Sequence, residues 1–389
     1  MVNYYQEGVL TSQISEEDLN KLTQISSGPA VSIFMDTQRI GIRPRRDQIK
    51  LKNLLAQAEK DLLSQGHRPT EVNKLLEPAR DLLQNTIFWK YQGEGLAIYL
   101  GVGFSAIYRL PFSVKEGVFT GRHFHLKPLL PLFCYYWRFY VLALSQKQAR
   151  LFRGSPYHLE EVTTINLPQG LEEAVSEEPA KTLSFYNLGR GGKRIFHGHG
   201  GLEESLKDKL RQYFQKVDHA LNEFLAEEKI PLVLASVEYF LPIYQKANSY
   251  PHLLDAVVSG NPDKMKSDKL QAAAWAVVAP YFQQERERDQ AEYQKLHGTG
   301  QTSNQISEIV IAAVQGRVKT LFVALDQECW GVFDPEKLIV EIRENDPSPG
   351  NVDLIDTAAS WVFKQGQKVH AVNANQMPDQ SPLVAIFHY

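Results

Sequence analysis

Residues 187–201 combine flexible backbone with side chains that bind anions. The stretch Asn187-Leu-Gly-Arg-Gly-Gly-Lys-Arg-Ile-Phe-His-Gly-His-Gly-Gly201 holds six glycines, three fixed positive charges and two histidines. Its cations are Arg190, Lys193 and Arg194, with His197 and His199 close by, and its glycines are Gly189, Gly191, Gly192, Gly198, Gly200 and Gly201. Such side chains suit phosphate contacts, which position a nucleic acid without reading its sequence. A surface loop without a partner is the alternative.

Two common nucleotide-binding patterns are excluded for this stretch. A Walker A loop needs glycine where Asn187 stands and serine or threonine where Arg194 stands. Neither Gly189 nor Gly198 starts a complete G-x-G-x-x-G fingerprint. No further cysteine or histidine lies close enough to complete a metal site with the two loop histidines. We therefore expect neither a cofactor nor a metal.

A second basic segment lies between residues 39 and 52. Six positive charges face only Asp47 there, and they are Arg39, Arg43, Arg45, Arg46, Lys50 and Lys52. This density predicts a local positive field in a chain whose formal net charge is −3. We predict Arg43, Arg45 and Arg46 as a second RNA contact. The alternative is a solvated start of a helix.

Composition sets limits on the class of protein. A net charge of −3 over 389 residues excludes a uniformly basic nucleic-acid binder. Cys134 and Cys329 are the only cysteines, which indicates a reducing cytosol and no disulfide framework. No signal peptide is visible, and nowhere do about 18 apolar residues run together. We expect a cytoplasmic protein with no membrane partner.

The hydrophobic pattern predicts three α/β domains, 1–135, 136–266 and 267–389. The most regular helix is expected from Leu202 to Leu225, directly after the glycine-rich stretch. Further predicted elements are strands at 30–36, 95–100, 104–109, 139–144, 149–153, 162–167, 231–237, 319–325, 369–372 and 383–387, and helices at 46–65, 69–84, 267–278, 306–314 and 352–364, with a short one starting at Ser15. We also expect Pro280 to kink or restart its helix, and residues 248–262 to form a loop.

Several runs in the second and third domains resemble a known family. These runs are His197-Gly-His-Gly-Gly201 before its helix, Pro231-Leu-Val-Leu-Ala-Ser-Val-Glu-Tyr239, Gly260-Asn-Pro-Asp263, Ile311-Ala-Ala-Val-Gln-Gly-Arg-Val-Lys-Thr-Leu-Phe-Val323 and Val352-Asp-Leu-Ile-Asp-Thr-Ala-Ala359. Over residues 136–389 the chain resembles the bacterial archaeo-eukaryotic release factor-like proteins, and with them archaeal and eukaryotic class-1 peptide release factors and Pelota. The resemblance implies a ribonuclease-H-like middle domain. It also implies a last domain that is an α-β-α sandwich similar to kink-turn-binding ribosomal proteins.

Departures from that family determine the predicted function. In release factors a loop glutamine after Gly-Gly orders the water that cleaves peptidyl-tRNA, but here Leu202 follows Gly200-Gly201 and Lys193 follows Gly191-Gly192. Leucine has no polar group and a lysine cation only donates, so neither replaces glutamine. The Asn-Ile-Lys-Ser element for stop-codon reading is also absent. Pelota, which also lacks Gly-Gly-Gln and acts on stalled ribosomes, is the better analogy.

We therefore predict a non-catalytic, translation-associated factor that binds the ribosome or tRNA, in rescue or hibernation. A translational GTPase is a further candidate partner, and DNA is not expected as one. Two alternatives stay open. One is a peptidyl-tRNA or RNA hydrolase in which His197 or His199 is the general base, and the other is a protein-interaction scaffold that contacts no RNA.

Overall fold

The structure is a computed structural model that describes residues 18, 21–23, 28–38, 44–133, 137–176, 200–226, 228–343 and 350–389. Its contacts divide the chain into two compact units. One unit consists of Met1–Tyr135 together with Arg286–Tyr389, and the other consists of Tyr136–Glu285. The three predicted domains stay a prediction. The short helix predicted at Ser15 lies almost wholly outside the described residues.

The N-terminal region is an antiparallel sheet with helices. Its elements are β1 (Ala30–Asp36), α1 (Pro44–Ser64), α2 (Pro69–Leu82), α3 (Thr86–Lys90), β2 (Gly95–Gly101), β3 (Phe104–Leu110), β4 (Gly117–Gly121) and α4 (Leu130–Phe133). The strand order is β3-β2-β1-β4, with every pair antiparallel. The predicted strand 30–36 and the hairpin are confirmed. Strand β4, which has glycine at both ends, was not predicted.

Alternation along β1 divides the apolar residues of this sheet between its two faces. Val31, Ile33 and Met35 pack in one cluster with buried residues of α1 and α2. Phe34 lies in a second cluster on the other face, together with Phe124 and other residues that follow β4. The sheet is therefore covered on both faces, which explains why β1 is apolar almost throughout.

The unit Tyr136–Glu285 contains a five-stranded mixed sheet. Its elements are β5 (Phe139–Leu144), β6 (Ala149–Gly154), β7 (Leu159–Glu161), α5 (Leu171–Ser176), α6 (Gly200–Leu225), β8 (Leu232–Ser236), α7 (Leu241–Ala247), β9 (Leu253–Ser259) and the first part of α8 (Ser267–Leu296). The order is β7-β6-β5-β8-β9, and β6 alone runs antiparallel to the other strands. This is the strand order of the ribonuclease-H-like fold, as predicted.

Both faces of this sheet are covered by helices. Leu142 and Leu144 of β5 pack in one cluster with the buried side of α6. Val141 and Ala143 alternate with them and pack in a second cluster with α8 residues. Strands covered on both faces read as apolar runs, which is why β5 and β8 were recognised from sequence.

Four predictions in this unit need correction. The third strand is at Leu159–Glu161, and no strand forms at 162–167. The predicted loop 248–262 contains β9, a half-exposed edge strand that lacks a continuous apolar run. Helix α8 continues past the predicted end at residue 278 and through Pro280, over 30 residues in all. Helix α6 begins at Gly200, two residues earlier than predicted.

The C-terminal region consists of β10 (Thr302–Ser303), α9 (Ile306–Val314), β11 (Val318–Ala324), β12 (Trp330–Asp334), β13 (Ile339–Ile342), β14 (Val352–Asp353), α10 (Leu354–Lys364), β15 (Lys368–Val372) and β16 (Leu383–Phe387). The main sheet has the order β10-β16-β11-β15, and a small sheet has the order β13-β12-β14. Tyr293 of α8 packs on Phe322 and Val384. Alternate residues of these strands face α9 and α10, so the predicted α-β-α sandwich is confirmed.

The start of α10 differs from the prediction of a helix from Val352. The side chain of Asp353 caps the helix, because its carboxylate accepts a hydrogen bond from the backbone N–H of Ile355. Val352 and Asp353 form β14 instead. The other end is as predicted, since Gly366 has a φ of +70°, a left-handed value typical of glycine after a helix. Within the described part of the chain, no helix has the length and apolarity needed to span a membrane.

Candidate functional site

The glycine-rich stretch ends inside helix α6. Gly200 and Gly201 are the first two residues of this helix, and their backbone is helical. Arg190, Lys193, Arg194, His197 and His199 lie outside the described residues, as do the other four loop glycines. Any role of these side chains therefore stays a prediction from the sequence, while α6 can be described.

The first described side chains of α6 are exposed and carry both signs of charge, because Asp208 lies between Lys207 and Lys209. Leu206 is 38% exposed although it belongs to the predicted apolar face. Lys207 and Lys209 are also exposed, and the first buried side chain of α6 in the described part is Leu210. From that residue onward the buried side of the helix packs on the sheet. Tyr213, which the periodicity did not predict, is fully buried there.

A buried carboxylate connects the middle of α6 to the segment after α7. Asp218 accepts hydrogen bonds from the backbone N–H of Ser249 at 2.9 Å and from its hydroxyl at 2.6 Å. Asn222 donates a third hydrogen bond to Asp218 at 3.0 Å. The carboxylate is thereby satisfied although Asp218 is only 6% exposed. This network holds the helix that carries the glycine-rich stretch.

The second basic segment is described only in part. Arg45 and Arg46 are exposed near the start of α1, whereas Arg43 lies outside the described residues. Lys50 is not free, because its ammonium contacts Asp36 and lies 3.7 Å from Glu116. The contact with Lys50 lowers the pKa of Asp36. The positive field is therefore weaker than the count of charges in the sequence predicted, because the carboxylates of Asp36 and Glu116 lie beside Lys50.

A buried ionic cluster joins the N-terminal and C-terminal parts of their common unit. The ammonium of Lys127 lies 2.5 Å from Asp353 Oδ2 and 2.6 Å from the carbonyl oxygen of Gln327. Asp353 Oδ1 accepts hydrogen bonds from the backbone N–H groups of Cys329 and Ile355. Burial raises the pKa of Asp353, although Lys127 acts in the opposite direction. Every polar atom of this carboxylate is therefore occupied.

Asp356 and His125 lie next to this pair. Asp356 Oδ1 accepts hydrogen bonds from the backbone N–H groups of Leu126 and Lys127, and Oδ2 lies 3.5 Å from His125 Nδ1. Burial, with repulsion from Asp353, raises the pKa of Asp356 to about 7. Burial holds the pKa of His125 well below its ordinary value, so the imidazole is neutral at neutral pH. Carboxyl groups with such pKa values in a cleft are candidates for function.

Sequence reasoning missed this cluster. One signal was available, because His123-Phe-His-Leu-Lys127 alternates polar and apolar residues after β4. The acidic partners, Asp353 and Asp356, lie in a run that predicts a helix and carries part of the family resemblance. Both aspartates lie more than 220 residues after Lys127 in the chain, so the sequence alone does not show that they meet it.

A cavity of about 960 Å³ opens beside the cluster. Its walls are Leu22, Thr23, the side of α1 that carries Leu54, Gln57 and Asp61, residues 115–121 and 123–126, and C-terminal residues between Glu328 and Lys364. All of these residues belong to one compact unit. Volumes of this order are typical of small-molecule sites. Among the described residues, no group of three or more metal-binding side chains forms a metal site.

Comparison with known proteins finds a family match for the middle of the chain. Residues 138–317 match the family described as bacterial archaeo-eukaryotic release factor family 3, a match that covers somewhat under half of the 389 residues. This region is release-factor-like. The predicted resemblance to bacterial archaeo-eukaryotic release factor-like proteins is confirmed for it. The match includes helix α6 and the glycine-rich stretch before it.

Archaeal proteins are among the solved structures to which the chain is similar. An archaeal translation termination factor, aRF1, is 15% identical over 97% of this chain and 99% of its own, with a TM-score of 0.24. Archaeal Pelota, from a model of ribosome-bound Pelota and ABCE1, is 12% identical over 97% and 95%, with a TM-score of 0.39. Pelota of Archaeoglobus fulgidus is 12% identical over 76% and 79%, with a TM-score of 0.28. No protein with a curated function matches the chain.

Proposed function

We propose that this protein is a cytoplasmic, translation-associated factor that binds the ribosome or tRNA, in rescue or hibernation of ribosomes. The observation that carries the proposal is the release-factor-like region 138–317, in which a basic glycine-rich stretch directly precedes helix α6.

The proposed contacts are with RNA phosphates. Arg190, Lys193 and Arg194 would bind phosphate oxygens through charge-assisted hydrogen bonds, with His197 and His199 as further donors. The exposed Arg45 and Arg46, with Arg43 beside them in sequence, would form a second phosphate contact. Two separate basic segments in a chain of net charge −3 favour an extended RNA surface over a small anion.

The proposal includes neither stop-codon decoding nor hydrolysis by a Gly-Gly-Gln element. Gly200 and Gly201 lie in the helix and are followed by Leu202, which offers no hydrogen-bonding group to a water molecule. Lys193 after Gly191-Gly192 offers a donor but no acceptor. A translational GTPase stays a predicted partner.

Sedimentation with ribosomes tests the proposal. We expect the wild-type chain in the ribosomal fractions of a gradient at low salt, and a variant with Arg190, Lys193 and Arg194 changed to Ala mostly outside them. A matched control removes three exposed lysines of the same unit, Lys229, Lys246 and Lys266, and changes the net charge equally. Absence of the wild-type protein from the ribosomal fractions, or equal loss in both variants, would contradict the proposal.

A further inference from the structure

The cavity next to the Lys127 cluster has an excess of carboxylates in its walls. Five acidic residues line it against the two lysines Lys115 and Lys364, and they are Asp61, Glu116, Glu328, Asp353 and Asp356. An anionic ligand would meet repulsion from these walls. Organic cations are the class of ligand that their charge favours.

Three of the five carboxylates already have cationic partners. Glu328 pairs with Lys115 at 2.9 Å, Glu116 lies 3.7 Å from Lys50, and Asp353 pairs with Lys127. Because their partners neutralise these three carboxylates, they offer little negative charge to a ligand. The two remaining carboxylates therefore determine what the cavity can bind.

Asp61 and Asp356 are these two carboxylates. No lysine or arginine of the described chain forms a direct ion pair with either one, although Lys60 attracts Asp61 and Lys127 attracts Asp356 from further away. Asp356 Oδ1 accepts two backbone hydrogen bonds, and Oδ2 has the neutral His125 at 3.5 Å. Burial raises the pKa of both carboxyl groups, because the attraction of these lysines does not offset the loss of solvent. Lys364 does not compensate Asp356, because it lies eight residues further along α10, about 12 Å away at 1.5 Å per residue.

Aromatic rings form much of the remaining wall. Phe119, Trp330, Phe333 and Trp361 all line the cavity. The rings of Phe119 and Trp330 are nearly parallel, with an angle of 13° and centroids 5.9 Å apart. Aromatic faces attract cations and pack against methylene groups. The hydroxyl of Ser360 also lines the cavity, and it is buried without a hydrogen-bond partner in the described chain.

We propose that this cavity binds a linear aliphatic polyamine. One ammonium group would pair with Asp356 and another with Asp61, since these carboxylates lie on different helices, α10 and α1, in the walls of the same cavity. The methylene chain would pack on the rings of Phe119 and Trp330. Two separated positive charges distinguish this ligand from a monoamine, which can satisfy only one carboxylate. They distinguish it equally from a compact metal ion, for which the described residues provide no ligand set.

Isothermal titration of the full chain with spermidine at pH 8 and physiological salt tests the proposal. We expect one site per chain and at least tenfold weaker binding of butylamine. Asp61→Asn and Asp356→Asn should each weaken spermidine binding at least fivefold and bring it towards the butylamine value. Asparagine can keep the hydrogen bonds that Asp356 Oδ1 accepts from the backbone, so the fold should persist.

A control variant and a variant of the aromatic wall complete the test. Glu77→Gln removes an exposed carboxylate of α2 outside the cavity and should leave binding unchanged. Trp330→Ala should weaken spermidine binding roughly threefold or more, because the methylene chain loses an apolar surface to pack on. No binding at millimolar spermidine, equal binding of butylamine, or unchanged binding by the two Asp→Asn variants would overturn the proposal. The two Asp→Asn variants test the cavity separately from ribosome binding, because neither aspartate belongs to the basic stretches.

Discussion

Lys127 Nζ and Asp353 Oδ2 lie 2.5 Å apart, with the two side chains only 3% and 0% exposed. The pair connects the segment after β4 to the residue that caps α10. Ion pairs of this kind contribute little compared with apolar packing, but removal of one partner leaves a buried charge alone. The unit that contains the N- and C-terminal regions should therefore be sensitive to each of the two residues.

Lys127→Met should lower the free energy of unfolding of this unit by about 3–5 kcal/mol, because the Asp353 carboxylate stays buried without its cation. Denaturant unfolding with a probe in this unit, such as Trp89 fluorescence, measures the change. Lys115→Met is the control, since Lys115 and Glu328 form an exposed pair, and it should cost less than about 1 kcal/mol. Equal effects of the two variants would contradict a buried role for Lys127.

Asp356 should make stability depend on pH between about 4 and 7. Its pKa is raised from 3.8 to about 7 in the folded state. The folded protein therefore holds this proton more tightly than the unfolded chain, and the resulting stability is lost as the pH rises through that range. The groups that face Asp356 are Asp353, Lys127, His125 and Tyr99.

The variant Asp356→Asn removes this titration. Relative to the wild type, its free energy of unfolding should rise with pH by at most about 1.4 kcal/mol per pH unit, and the difference should level off above pH 7. Denaturant unfolding at pH 5, 6, 7 and 8 provides the measurement. A pH-independent difference between the two proteins would show that Asp356 titrates at its ordinary value in the fold.

Asp218→Ala should destabilise the unit Tyr136–Glu285 by roughly 2–3 kcal/mol, because Ser249 and Asn222 lose their acceptor in a buried place. On the same helix, Asp208 forms an exposed pair with Arg211, and Asp208→Ala should change stability by less than about 1 kcal/mol. Thermal unfolding of both variants compares the two carboxylates. If Asp208→Ala proved as costly as Asp218→Ala, the network at Asp218 would not be what holds α6.

Peptidyl-tRNA should not be cleaved faster by the wild-type chain than by buffer alone. Leucine at position 202 cannot orient a water molecule, and the proposed function assigns the loop histidines only to phosphate contact. Release of labelled peptide over time is the readout. A rate clearly above that of buffer, lost in a His197→Ala/His199→Ala variant, would instead support the hydrolase alternative.

The sequence predicts those parts of the fold that local pattern controls. Helix α9 has its predicted bounds because its apolar residues recur at helical spacing and Gly316 ends it with a φ of +71°. Strand β1 was predicted as a buried run. Strand β9 was missed because its burial alternates irregularly at a sheet edge. The short β7 could not be placed because it depends on pairing with β6.

The candidate sites depend on contacts that sequence spacing does not contain. Lys50 looked like a free cation until Asp36 and Glu116, which lies 66 residues away, were seen beside it. Lys127 and Asp356 meet across 229 residues. By contrast, the link between the glycine-rich stretch and α6 could be predicted, because it is continuous in the chain.

The most direct test of the proposed function is the salt dependence of binding to ribosomes or tRNA. The slope of log affinity against log salt should fall in magnitude by about 2–3 in the variant that lacks Arg190, Lys193 and Arg194, because each phosphate contact contributes about 0.7–0.9. The Lys229, Lys246 and Lys266 control should keep the wild-type slope. A loop variant with the wild-type affinity and slope would contradict phosphate binding by the glycine-rich stretch.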